Sequence, residues 1–156
     1  MNRFIRTFIN TSTAQQARNI LGLNYVEGTF TPAFSATGAT YAYTTQYGVY
    51  NKLGSIVTFN LKIVLNTSGN TLGTAALSVT GLPYTSSSTA EVPCFMRWSG
   101  STGTYVTVIA QVNASAATIS FLGATAATAT PTALNSNGLL HATNGSTVWI
   151  SGVYPT

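Results

Sequence analysis

Residues 56–65 read Ile56-Val57-Thr58-Phe59-Asn60-Leu61-Lys62-Ile63-Val64-Leu65. In an extended chain Val57, Phe59, Leu61, Ile63 and Leu65 fall on one face, and Thr58, Asn60 and Lys62 fall on the other. That period of two is the mark of a strand with one face in a core and one in water.

Strand-like segments continue on both sides of this stretch. Residues 29–35 form an opening strand, with Pro32 marking it as an edge because proline has no N–H to give to a ladder. Residues 41–51 carry Tyr41, Tyr43, Tyr47, Val49 and Tyr50, and Gly48 predicts a bulge that shifts the alternation. Residues 66–70 read as a turn and 73–80 as a returning strand, which Gly81-Leu82-Pro83 ends. Further strands follow over 92–98, 105–112, 117–122 and 147–153, with a turn at 100–103. Residues 124–137, rich in Ala and Thr, are either a weak strand or a long surface loop. Seven to nine short strands separated by turns define an all-β fold, a jelly-roll-like β-sandwich, in residues 28–156.

Before Gly28 the composition differs. Three of the six basic residues lie there, and Thr13 and Gln16 have the spacing of a helix capping box. Residues 14–21 are expected to form a short helix, with Gly22 able to take positive φ just beyond it. A helix so short needs a partner for Ile20, Leu21 and Leu23, either the sandwich or a neighbouring subunit. Residues 1–27 therefore read as a separate arm and helix for docking or oligomerisation.

Of 156 residues only 5% are charged: six Lys or Arg and two carboxylates, for a net charge of +4. A globular protein usually has about a quarter. Weak repulsion between copies favours self-association or docking on a larger assembly. The 8 Tyr, 7 Phe and 2 Trp mark a chain that folds. Arg3 and Arg6 are the only close pair of cations, which does not make the basic stripe of a nucleic-acid binder. Phe4, Ile5, Phe8 and Ile9 are interrupted by Arg6 and Thr7, so they form no signal-peptide core, and no apolar run is long enough for a transmembrane helix. The expectation is a protein made and used without a secretion signal of its own and without membrane insertion.

Catalytic chemistry has few candidates. There is no Asp, and Glu27 with Glu91 would be the only pair for a glycosidase mechanism. His141 is the sole histidine and lacks a carboxylate nearby in sequence to orient it. One His and one Cys do not make a zinc site, and the Asn-rich turns lack the carboxylates of a calcium site. Cys94 lies between Pro93 and Phe95 in an apolar strand and reads as a structural thiol. The Asn-x-Ser/Thr triplets at Asn10, Asn66, Asn113 and Asn144 are what a Ser- and Thr-rich chain produces by chance. No catalytic residue, cofactor or metal is expected. The tyrosines, Tyr41 and Tyr43 among them, remain as candidates for core packing, a subunit interface or sugar stacking.

Two segments resemble bacteriophage virion proteins. Residues 11–23, Thr-Ser-Thr-Ala-Gln-Gln-Ala-Arg-Asn-Ile-Leu-Gly-Leu, are similar to the A-A-R-x-x-L-G-L helix of phage tail fibres. Gly28-Thr29-Phe30-Thr31-Pro32, Gly48-Val49-Tyr50-Asn51-Lys52-Leu53-Gly54-Ser55-Ile56-Val57 and Gly81-Leu82-Pro83 resemble the G-x-W/F-T-P … G-x-Y-x-K-x-G-x-x-V … G-L-P pattern of β-sandwich modules in phage and cyanophage structural proteins. Phe30 stands where Trp is usual, and Ser55 where Asn or Asp is usual. The resemblance covers about the first half of the chain and implies a homotrimer without catalytic residues. Read as a complete polypeptide starting at Met1, the chain has no room for a fibre shaft. It suits a capsid decoration, cement or head-fibre protein on the outer virion surface, synthesised in the host cytoplasm. In that reading Arg3, Phe4, Arg6, Phe8 and Ile9 dock on the major capsid protein or another virion protein, and Ile20, Leu21, Leu23, Tyr41 and Tyr43 form the oligomer interface. The alternatives are a short tail-fibre or receptor-binding protein that holds a host glycan, and a lectin-like module.

Overall fold

In the computed structural model the stretch Ile56–Leu65 is one strand, and Val57, Phe59, Leu61, Ile63 and Leu65 are all buried while Ile56, Thr58 and Asn60 face solvent. The structure describes residues 16–18, 21, 22, 24–100, 103–126 and 129–156. Within them are ten strands: β1 (Tyr25–Phe30), β2 (Ala33–Ser35), β3 (Tyr43–Leu53), β4 (Ile56–Leu65), β5 (Ser78–Thr80), β6 (Val92–Ser99), β7 (Thr107–Val112), β8 (Ile119–Ala124), β9 (Thr132–Ala133) and β10 (Thr147–Pro155). The described pairings are antiparallel and run β1-β3-β4-β10-β6-β7-β8-β5-β2, with β9 beside β8.

This curled sheet makes the expected β-sandwich by turning two corners. One is β6: its residues 95–99 pair with β10, whereas Val92, Pro93 and Cys94 pair with β7. The other is the Thr31-Pro32 link, since β1 and β2 are adjacent in sequence but occupy opposite ends of the strand order. Pro32 is buried there, and its carbonyl accepts a 3.0 Å hydrogen bond from Gln46 Nε2. Gly81 passes against this corner at φ +89°, where a Cβ would sit 2.5 Å from the Thr31 carbonyl oxygen, so a side chain is excluded twice over. Leu82 then turns into the core.

Between the layers, Val57, Phe59, Leu61, Ile63, Leu65, Val148, Ile150 and Tyr154 meet Phe34, Val79, Ala110, Val112, Ile119 and Phe121. Aromatic rings laid over glycines on partner strands help to fix the register. Phe30 is opposite Gly48 and Gly28 is opposite Tyr50, and a Cβ on either glycine would collide with the facing ring. Phe59 covers Gly152 in the same way.

Several expectations are corrected. The opening strand is not continuous over 29–35, because Pro32 breaks it into β1 and β2. The bulge in β3 lies between Tyr43 and Thr45, leaving Gly48 in regular pairing with Leu61 as the floor under Phe30. The strand expected over 73–80 shortens to β5. Residues 124–137 hold β9 and lead into a four-residue helix, Ser136–Leu139, which Asn135 caps by accepting from the Gly138 amide. Leu134, Leu139 and Leu140 from this region are core residues. The sandwich also starts earlier than Gly28, since β1 takes in Tyr25, Val26 and Glu27. Gln16, Ala17 and Arg18 are helical and Gly22 has φ +71°, as expected of the short helix and its end.

Replacing Phe59 with Ala is expected to lower stability by about 3–5 kcal/mol. Replacing Phe95, which is 78% exposed, should change it by no more than about 0.5 kcal/mol. Urea denaturation of both variants measures this, and equal losses would contradict the placement of the two rings.

Candidate functional site

Because β4 turns odd-numbered side chains inward, its even-numbered ones line the outer face of the layer β1-β3-β4-β10-β6. Register then aligns one row across four strands. Tyr47 is opposite Lys62, Lys62 is opposite Trp149, and Trp149 is opposite Arg97. Lys62 Nζ lies 5.6 Å and the Arg97 guanidinium carbon 4.7 Å from the Trp149 ring centroid, approaching from the two flanking strands. Cations over an indole are held by its quadrupole.

The next row holds Asn60, Ser151 and Phe95. Phe95 is the most exposed of the large apolar residues described. Phe95, Arg97, Trp149, Asn60 and Ser151 enclose an open groove of about 230 Å³, with Leu61 and Ile150 beneath. At the other end of the face Tyr25, Asn51, Leu53, Ile56 and Thr58 line a second hollow of about 440 Å³. There the Tyr25 hydroxyl is 2.6 Å from Glu27 Oε2 and 2.9 Å from Asn51 Oδ1, and the bond to Glu27 raises the phenol above its usual pKa. Five of the eight large apolar residues described as exposed share this face: Tyr47, Leu53, Ile56, Phe95 and Val153.

The cations follow one rule. Arg18 lies over Tyr25, Lys52 over Tyr84, and Lys62 and Arg97 over Trp149, so each cation among the described residues is seated on an aromatic ring. Glu27 belongs to β1 and Glu91 precedes β6, at opposite ends of the five-strand layer, so the fold does not bring the two carboxylates together. His141 Nδ1 accepts from the backbone amides of Thr143 and Asn144, which ties the ring into its own turn. Cys94 packs against Gly152, and burial pushes its thiol up to about 11, away from the reactive thiolate. Among the described residues no group of three or more His, Cys, Asp or Glu stands together, and no helix is long and apolar enough to cross a membrane.

Of the residues singled out from sequence, Arg3, Phe4, Arg6, Phe8, Ile9, Ile20 and Leu23 lie outside the described residues. Leu21 is described and exposed. Tyr41 and Tyr43 are half-buried and packed on Phe34, with ring centroids at 5.7 and 6.5 Å, so within the chain they serve the core. The Tyr43 hydroxyl accepts from the Phe34 amide at 2.8 Å, and burial raises the pKa of both phenols. The row of Tyr47, Lys62, Trp149 and Arg97 was not foreseen. Its only sequence signal is that each residue falls on the outward alternation of its own strand, in four separate strands, and it becomes a site once β10 is known to lie between β4 and β6.

Comparison with protein-family models, curated proteins and solved structures finds no match to this chain.

Tyr154, which is buried, and Cys94, which is half-buried, give the fold an alkaline limit. The Tyr154 hydroxyl donates to the Tyr84 carbonyl, and burial raises its pKa from 10.0 to about 12, while Cys94 rises from 9.0 to about 11. Both are bound as the neutral form, so their contribution is complete below the unfolded values and is lost as pH climbs through the folded ones. The urea midpoint should therefore fall between about pH 9 and 12, less steeply in Tyr154→Phe. A midpoint constant to pH 12 would contradict the burial of these groups.

Proposed function

We propose that this chain is a non-enzymatic structural protein of a bacteriophage particle, a trimeric capsid decoration, cement or head-fibre protein. It docks on the major capsid protein through Arg3, Phe4, Arg6, Phe8 and Ile9 and carries its sandwich on the outer surface of the virion. The observation that carries an assembly role is the concentration of exposed apolar side chains on one sheet face of a chain with six cations and two carboxylates. An excess of exposed apolar side chains on one face is what an interaction surface requires. The segments resembling phage modules supply the virion context, and they coincide with structural devices: Phe30 over Gly48, the corner at Pro32, and Gly81 against that corner. A second reading, a receptor-binding protein that holds a host glycan, is favoured by the groove beside Phe95 and Arg97.

The test adds purified full-length protein to capsids that lack it. Replacing Arg3 and Arg6 with Glu and Phe8 with Ser should cut addition at least tenfold, with circular dichroism and sedimentation unchanged. Undiminished addition by that variant would reject docking through the arm. Blocking of host-cell adsorption by the wild-type chain would favour the second reading.

A further inference from the structure

Phe95 and the cation row beside it lie on the outer face of the sheet, outside the buried core. Phe95 is 78% exposed on β6, two residues from Arg97 on the same face. Neither Arg97 nor Lys62 forms an ion pair among the described residues. By register the carboxylate on this face, Glu27, is two strands and four residues from Lys62, about 16 Å. That exceeds a physiological screening length, so this end of the face is positive. Asn60 and Ser151 line the groove between Phe95 and Trp149, and their side chains have no internal hydrogen-bond partner among the described residues.

We propose that this groove is a binding site for an acidic saccharide, a chain of sugar rings bearing carboxylates. Each wall suits one part of such a ring. The apolar C–H face of a pyranose lies on the Phe95 ring, the hydroxyls meet the Asn60 amide and the Ser151 hydroxyl, and the carboxylate takes the outward N–H groups of Arg97 in a two-point contact. The Trp149 ring on the neighbouring strand, 4.7 Å from the Arg97 guanidinium carbon, restrains that side chain and reduces the freedom lost on binding. The groove, about 230 Å³ and open, accepts one ring while the rest of the polymer runs along the sheet face.

Other occupants fit less well. Twofold packing of a second copy on this patch would bring Arg97 and Lys62 against their own images. Single-stranded nucleic acid needs successive stacking platforms and a track of cations, whereas Trp149 is covered by two cations and the two exposed rings of this face, Phe95 and Tyr47, stand three strands apart, about 14 Å or more. The inference holds whether the module sits on the head or the tail of a particle, so it can fail without affecting docking through the arm.

Calorimetric titration of the full chain with oligogalacturonate, alginate oligomers and oligosialic acid tests it, with maltohexaose and oligo-dT alongside. At least one carboxylated probe should bind ten times or more tighter than maltohexaose and oligo-dT. Arg97→Gln and Phe95→Ala should each weaken that binding about tenfold or more, while Val106→Ala, at an exposed position before β7, leaves it unchanged. No binding of any carboxylated probe at millimolar concentration would overturn the proposal. So would equal binding of the neutral probe, tighter binding of oligo-dT, or full binding by folded Arg97→Gln and Phe95→Ala variants.

Discussion

The structure depends on how β4 is held. It lies between β3 and β10, its backbone paired on both sides, and its inward side chains form the centre of the core. A slip of one residue would turn Phe59 and Ile63 to water and Lys62 into the core, so burial alone specifies the register strongly. Rings over glycines add a second specification: Phe59 fits over Gly152 and Phe30 over Gly48 only in the observed pairing. The outer row is a consequence of the same choice, because the register that buries Phe59 places Lys62 beside Trp149.

Scarcity of charge shapes the rest. With two carboxylates in the whole chain, cations have few ionic partners, and the described ones rest on aromatic faces instead. Their charged heads lie against the ring faces, held by the ring quadrupole, and keep N–H groups for hydrogen bonds to other partners. Lys52 shows both effects, lying over Tyr84 while donating to the Gly54 carbonyl and the Thr156 hydroxyl. Tyrosine and tryptophan thus act as supports for cations as well as core material, and they leave those cations free to meet anions from outside.

Much of this fold is legible along the chain, because β4, β7 and β8 each alternate strongly enough to show their buried face in isolation. Tyr41 and Tyr43 were ambiguous for the same reason that β4 was clear: a tyrosine suits a core edge and an interface equally, and only the position of Phe34 decides. Features that depend on distant pairing were not legible. The corner in β6 exists because Cys94 faces β7 while Phe95 already pairs with β10. Residues 134–140 lack a simple period because they plug the core from a loop, with three leucines buried around a single helical turn. The candidate groove combines residues from β4, β6 and β10, whose adjacency no local pattern announces.

Native-state hydrogen exchange tests the central claim most directly. If β4 is the strand on which the sandwich is built, the amides of Phe59, Leu61 and Ile63 and those of Val148 and Ile150 should exchange only through global unfolding. Those of β1 and β2, the two ends of the strand order, should exchange sooner through local opening. Exchange of the β4 amides as fast as those of β1, or independently of β10, would contradict it.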